Sequence, residues 1–129
     1  FVKTIDRNLP KTDMGWEIEP SGLTDAINLV SHYAPELPLY ITENGMASAN
    51  TITDEDRIEY YRDHLNEVAK ATRNLPIKGY FAWSLLDNFE WAFGYTKRFG
   101  IVHVDYKTQR RTKKDSFKWW QSELVRPSA

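Results

Sequence analysis

Two carboxylates, Asp87 and Glu90, sit inside the most aromatic stretch of this chain, Trp83-Ser-Leu-Leu-Asp-Asn-Phe-Glu-Trp91, which runs on into Ala92-Phe-Gly-Tyr95. Five of the thirteen residues from Trp83 to Tyr95 are aromatic, and Asp87 and Glu90 are the only formal charges among them. Rings alone read as a buried cluster, since each large aromatic contributes about 1.5 to 3 kcal/mol on burial. The carboxylates change that reading, because a charge among rings needs a partner or a ligand to offset its lost hydration. A pyranose is such a ligand: its C–H faces stack on Trp, and its hydroxyl pairs reach a carboxylate two at a time.

The elements that must position this stretch follow from periodicity. Residues 1–20 carry Pro10, Gly15 and Pro20 without a sustained period and read as an extended or looped segment, with Trp16 and Ile18 pinning it to a core. From Ser21, Leu23, Ala26, Ile27 and Val30 keep helical spacing until Pro35 and Pro38 end it. Residues 39–42 read as a buried strand closed by the turn signature of Thr42-Glu-Asn-Gly45. Thr53 with Asp56 predicts a capping box for a long helix carrying Ile58, Tyr61, Leu65, Val68 and Thr72, which stops at Asn74-Leu-Pro76. Residues 77–83 read as a second buried strand. Phe99–Asp105 and a turn at Tyr106–Gln109 predict a short hairpin, and Thr112 with Asp115 predicts the cap of a last helix that turns Phe117, Trp120 and Leu124 inward.

This helix–strand alternation defines an α/β chain, and strands joined by helices run parallel. Two parallel strands leave both edges unpaired, and ordering their backbone costs about 1–2 kcal/mol per residue. The unit is therefore expected to complete a larger sheet or barrel. A start at Phe1 without Met agrees with that expectation.

With 17 basic against 18 acidic residues among 129, no global field draws the chain to nucleic acid or an anionic membrane. The absence of cysteine excludes disulfides and thiolate metal sites and fits a cytoplasmic setting. Lys107, Arg110, Arg111, Lys113 and Lys114 cluster, but without interleaved aromatics they read as a solvated turn. His32, His64 and His103 lack ligand spacing, and no glycine-rich phosphate loop is present, so neither metal nor nucleotide cofactor is expected.

Ile41-Thr-Glu-Asn-Gly45, Trp83-Ser-Leu-Leu-Asp-Asn-Phe-Glu-Trp91 and Lys97-Arg-Phe-Gly-Ile101 resemble the family 1 glycoside hydrolases, and the likeness extends from Thr12-Asp-Met-Gly-Trp16 through Tyr60-Tyr61 and Asp63-His-Leu65 to Lys114-Asp-Ser116. The resemblance implies the C-terminal part of a (β/α)8 TIM barrel over residues 1–129, with strands 7 and 8 and helices 6 to 8. The missing part would come from another chain or an N-terminal region carrying strands 1 to 6. It implies a retaining β-glycosidase, β-glucosidase-like, acting on a β-glycoside substrate. Glu43 matches the nucleophile, and its place at a strand end suits that role. Trp83, Glu90, Trp91 and Phe99 match substrate-binding positions, while Asp87 is expected to be structural and to receive backbone N–H groups. A cis peptide at Trp83–Ser84 is also implied. The Asn-Glu-Pro motif that carries the family's acid/base is absent from this chain, and Ala92-Phe93 departs from the usual pattern, in which an acidic residue follows the alanine. The alternative readings are a non-catalytic carbohydrate-binding fragment and, from the basic turn alone, a nucleic-acid binder.

Overall fold

The computed structural model describes residues 5–125. The reading of residues 1–4 as extended chain lies outside them. Helix α1 spans Pro20–Tyr33 and β1 Leu39–Asn44, and α2 (Glu55–Ala71) then leads into β2 (Ile77–Ala82). Trp91–Phe93 makes one 3-10 turn, Val102–Val104 (β3) pairs antiparallel with Arg111–Lys113 (β4), and α3 spans Asp115–Val125.

Strands β1 and β2 run parallel, with Leu39 opposite Ile77, Ile41 opposite Tyr80 and Asn44 opposite Ala82. The first is two residues longer than the apolar run suggests, so Glu43 and Asn44 are its last members. Pro20 opens α1 at a position where a missing N–H costs nothing. Ile27 of that helix meets Val68 and Ala71 of α2 in a small core, against which Leu39, Ile41 and Ile77 pack. A second core joins Tyr61, Ile101 and Val102 to Phe117 and Trp120 of α3. Val30 and Leu124, expected inside, are exposed. So are Tyr40, Phe81 and Leu85, which leaves one side of the parallel pair uncovered. Among the described residues no helix is long and apolar enough to cross a membrane.

Two caps differ from expectation, and one carboxylate explains both. Asp54, not Thr53, stands at the head of α2, and Asp56 accepts a hydrogen bond from Ser48 Oγ at 2.7 Å instead of reaching back along its helix. Besides its pair with Arg57 of the same helix, the Asp54 side chain accepts from Ser116 N at 2.9 Å and Ser116 Oγ at 2.7 Å. It thus satisfies first-turn donors of α3 from across the fold, while Thr112 lies in β4. The hairpin is also shorter than expected. The carbonyls of Arg98 and Phe99 are bound by the Arg57 guanidinium and Gly100 N–H by Asp87, so pairing with β4 begins only at Val102.

Candidate functional site

Glu43 and Asn44 reach the C-terminal end of β1, where an open pocket of about 350 Å³ is lined by Trp16, Glu43, Asn44, Gly45, Tyr60, Trp83, Glu90, Trp91 and Phe99. All five residues singled out in the sequence therefore meet in one place. Glu43 comes from a strand end, Trp83 follows the end of β2, and the loop between β2 and β3 brings Glu90, Trp91 and Phe99.

The close approach of the two strand ends depends on Gly45, where a Cβ would lie 1.7 Å from the Trp83 carbonyl oxygen. Trp83 N–H donates to Asn44 O at 2.8 Å, and Tyr61 Oη donates to Trp83 O at 3.1 Å. The Trp83–Ser84 peptide is cis, as the resemblance implies. Tyr80 Oη donates to Asn44 Oδ1 at 2.6 Å, fixing the amide beside Glu43. Burial raises the phenol pKa of Tyr80, and likewise that of Tyr60, where hydrogen bonds to Asn44 and the Gly45 backbone oppose it. Both phenols keep their protons near neutrality, and Tyr80 acts there as a donor. Beyond them, Trp91 holds φ at +39° in its 3-10 turn and is 82% exposed, a backbone conformation that a bulky residue rarely adopts. Glu90 N–H closes that turn on Gly94 O at 2.6 Å.

Asp87 faces away from the pocket. Its carboxylate accepts from Gly100 N at 3.0 Å and Val104 N at 3.3 Å, and it pairs with Arg98 and Lys114, each at 3.0 Å. His103 Nδ1 stands 3.3 Å from the same group. The structural reading of Asp87 agrees with this, while Lys114 is corrected: it is fully buried against Asp87 and does not belong to the solvated basic turn. His64 is a packed imidazole, stacked on Tyr60 at 3.8 Å between ring centroids.

Trp16 is the second correction. It does not pin the N-terminal segment to a core but is 53% exposed at the pocket rim, with its ring centroid 6.1 Å from that of Phe99. Its loop is strapped down by Lys97, whose Nζ donates to Asp13 O at 2.6 Å and pairs with Asp13 Oδ2 at 3.0 Å. Periodicity gave no hint of this position; a Trp directly after Gly15 on a loop was the available signal.

Taken together, these features define an α/β protein with an acidic, aromatic-walled pocket at the carboxyl ends of parallel strands, a geometry suited to holding a polyhydroxylated ring. The glycosyl hydrolase family 1 model matches residues 1–127, and the chain belongs to that family. It is 49% identical over 130 residues to a 1,4-beta-D-glucan glucohydrolase of Thermotoga neapolitana, covering 95% of this chain and 29% of that protein. Against a bifunctional beta-D-glucosidase/beta-D-fucosidase of Bifidobacterium breve the identity is 46%, covering 93% of this chain and 28% of that one. The solved family 1 β-glucosidase of Thermotoga maritima superposes with a TM-score of 0.89 at 47% identity, covering 93% of this chain and 29% of that structure. The chain thus spans under a third of the length of these relatives.

Proposed function

We propose that this chain is the C-terminal part of a retaining β-glycosidase of the β-glucosidase type, contributing the seventh and eighth strands of a (β/α)8 barrel and helices 6 to 8. Residues 1–129 form one portion of a single domain, and a complementary N-terminal portion supplies strands 1 to 6 and the acid/base Glu. The observation that carries the reading is the convergence of Glu43 with Trp83, Glu90, Trp91 and Phe99 on one pocket. The uncovered side of β1 and β2 supports the need for a complement, and the cysteine-free sequence supports a cytoplasmic setting.

In this mechanism the substrate ring stacks on Trp83 with Phe99 as a side wall, while Glu90 and Trp91 bind hydroxyls. Glu43 attacks the anomeric carbon as the carboxyl group of the complement protonates the departing oxygen, and a glycosyl ester forms on Glu43. The same complement group then takes a proton from water, which opens the ester. Two inversions give net retention. The experiment is trapping with a 2-deoxy-2-fluoro β-glucoside bearing a good leaving group, followed by peptide mass mapping of the assembled protein. The sugar is expected on the peptide holding Glu43; a label elsewhere, or an inverted product anomer, overturns the assignment.

A further inference from the structure

Arg57 lies wholly buried in the first turn of α2 and lines no part of the pocket. Its Nε donates to Asp54 Oδ2 at 2.8 Å, which holds the fork in one orientation. One terminal nitrogen, Nη1, donates to the carbonyls of Met46 and of Phe99, the latter at 2.9 Å, and Nη2 donates to Arg98 O at 2.9 Å. Met46 follows Glu43 by three residues on the chain leaving β1, and Phe99 forms the pocket wall. Phe99 O also accepts from Ser84 N at 3.2 Å, so the same carbonyl ties the wall to the residue after Trp83. We propose that Arg57 is a positioning residue for the reaction. Its guanidinium locks the segment carrying Glu43 to the Trp83–Phe99 wall, setting the approach of the carboxylate to the sugar held there.

Two backbone bonds already cross this junction, Trp83 N to Asn44 O at 2.8 Å and Ser48 N to Arg98 O at 3.1 Å. Met46 lies between them in the chain, and Arg57 is the group that meets its carbonyl. A lysine keeps the charge beside Asp54, but its single ammonium cannot serve Asp54 and three carbonyls in one plane. Asp54 is in turn fixed by Ser116, so the lock is continuous from α3 to the pocket. Removing the fork takes from the Met46 carbonyl the donor that meets it and leaves the Phe99 and Arg98 carbonyls held by Ser84 N and Ser48 N alone, so the chain leaving β1 must shift to satisfy the first. Misplacement of this order at a reacting group costs rate far more than it costs affinity.

The inference rests on Glu43 being the nucleophile, and the test separates the two. In the protein assembled with its complement, the limiting rate of inactivation by 2-deoxy-2-fluoro-β-glucosyl fluoride reports ester formation, and the half-saturating concentration reports binding. Arg57→Lys is expected to lower the limiting rate by about 10- to 100-fold with half-saturation within about threefold of the unaltered protein. Val68→Ala, in the core between α1 and α2 and outside the pocket, serves as the control for lost stability and is expected to leave both unchanged. Ser116→Ala, which removes one of the bonds to Asp54, is expected to lower the rate by about three- to tenfold and keeps the proposal testable where Arg57→Lys does not fold. Rates in these variants that match Val68→Ala, or a loss confined to half-saturation, overturn the role of Arg57. A label found away from Glu43 in the unaltered protein overturns the nucleophile assignment instead.

Discussion

Lys114 Nζ lies 3.0 Å from Asp87 Oδ1, and both side chains are fully buried beneath the loop that carries Trp83, Glu90 and Trp91. Arg98 Nη1 meets the other oxygen of Asp87 at 3.0 Å and also donates to Val104 O at 2.7 Å. The carboxylate gathers residues 98–104 and the start of α3 around the turn at residue 87. Lys114→Met removes one cation from a buried carboxylate. A loss of about 3 kcal/mol is expected in the assembled protein, at the low end for a broken buried pair because Arg98 and two backbone N–H groups remain. Asp87→Leu also strands Arg98 and the N–H groups of Gly100 and Val104, so the Asp87→Leu/Lys114→Met double variant should lose less than the sum of the two single losses. Urea midpoints for the parent, both single variants and the double variant give the coupling, and a Lys114→Met variant indistinguishable from the parent would remove the pair from the account of loop stability.

His64 supplies a pH dependence whose sign is fixed by burial. Desolvation holds its imidazole below the usual 6.5, opposed by the Tyr60 carbonyl 2.7 Å from Nδ1. With the folded pKa below the unfolded one, the unfolded state gains a proton first as pH drops. Stability is therefore complete above about 6.5, declines below it, and levels off once pH passes the folded value. His64→Phe keeps the stacking on Tyr60 and removes the titration, so its stability between pH 7 and 5 should fall less than that of the parent. Denaturation midpoints across that range are the measurement, and parallel curves for the two proteins would refute the assignment.

The isolated chain should not fold cooperatively. Among the described residues β1 pairs only with β2, and Tyr40, Phe81 and Leu85 beside them are each more than half exposed. Two small cores must then offset the ordering of the whole backbone at about 1–2 kcal/mol per residue. Calorimetry of the chain alone should show no sharp transition, and mixing with the complementary portion should create one. A cooperative melt with dispersed amide resonances from the chain alone would contradict this.

Elements defined by long apolar periods were legible in the sequence. Ile27, Ile58, Tyr61 and Val68 are buried where their spacing puts them, and the parallel pairing of the two strands followed from the helix between them. What stayed hidden depended on contacts between residues far apart in the chain. Asp54 and Arg57 pair with each other at the head of α2, but their other partners, Ser116, Met46, Arg98 and Phe99, are distant in the chain. Lys114 looked like one more cation beside Lys113 because nothing local announces that Asp87 lies across from it. Glu43, Trp83, Glu90 and Trp91 sit in two short motifs after the ends of consecutive strands, where parallel pairing brings them to one pocket, and Phe99 joins them from a third motif before β3. Trp16 escaped because its loop is placed by Lys97 and has no period of its own.

Glu43 and Glu90 share a pocket but should respond differently to the same change. On the proposed assignment, Glu43→Gln keeps the size of the side chain while removing the anion that would form the ester, so no covalent intermediate can accumulate. Turnover in the assembled protein should fall by several orders of magnitude, with sugar binding largely kept. On the same assignment Glu90→Gln should leave the ester chemistry in place and weaken the proposed contacts to sugar hydroxyls. Its cost should be about 1.5–3 kcal/mol, the usual range for a hydrogen bond to a charged group, or roughly 10- to 150-fold in kcat/KM. If those contacts tighten toward the transition state, part of the loss will appear in kcat as well as KM. Steady-state kinetics on aryl β-glucosides, with inactivation by the fluorosugar run on the same proteins, separates the cases. The Glu90 variant should still be labelled, more slowly, and the Glu43 variant should not be labelled at all. Labelling of Glu43→Gln at the parental rate would exclude Glu43 as the nucleophile, whatever the pocket geometry suggests.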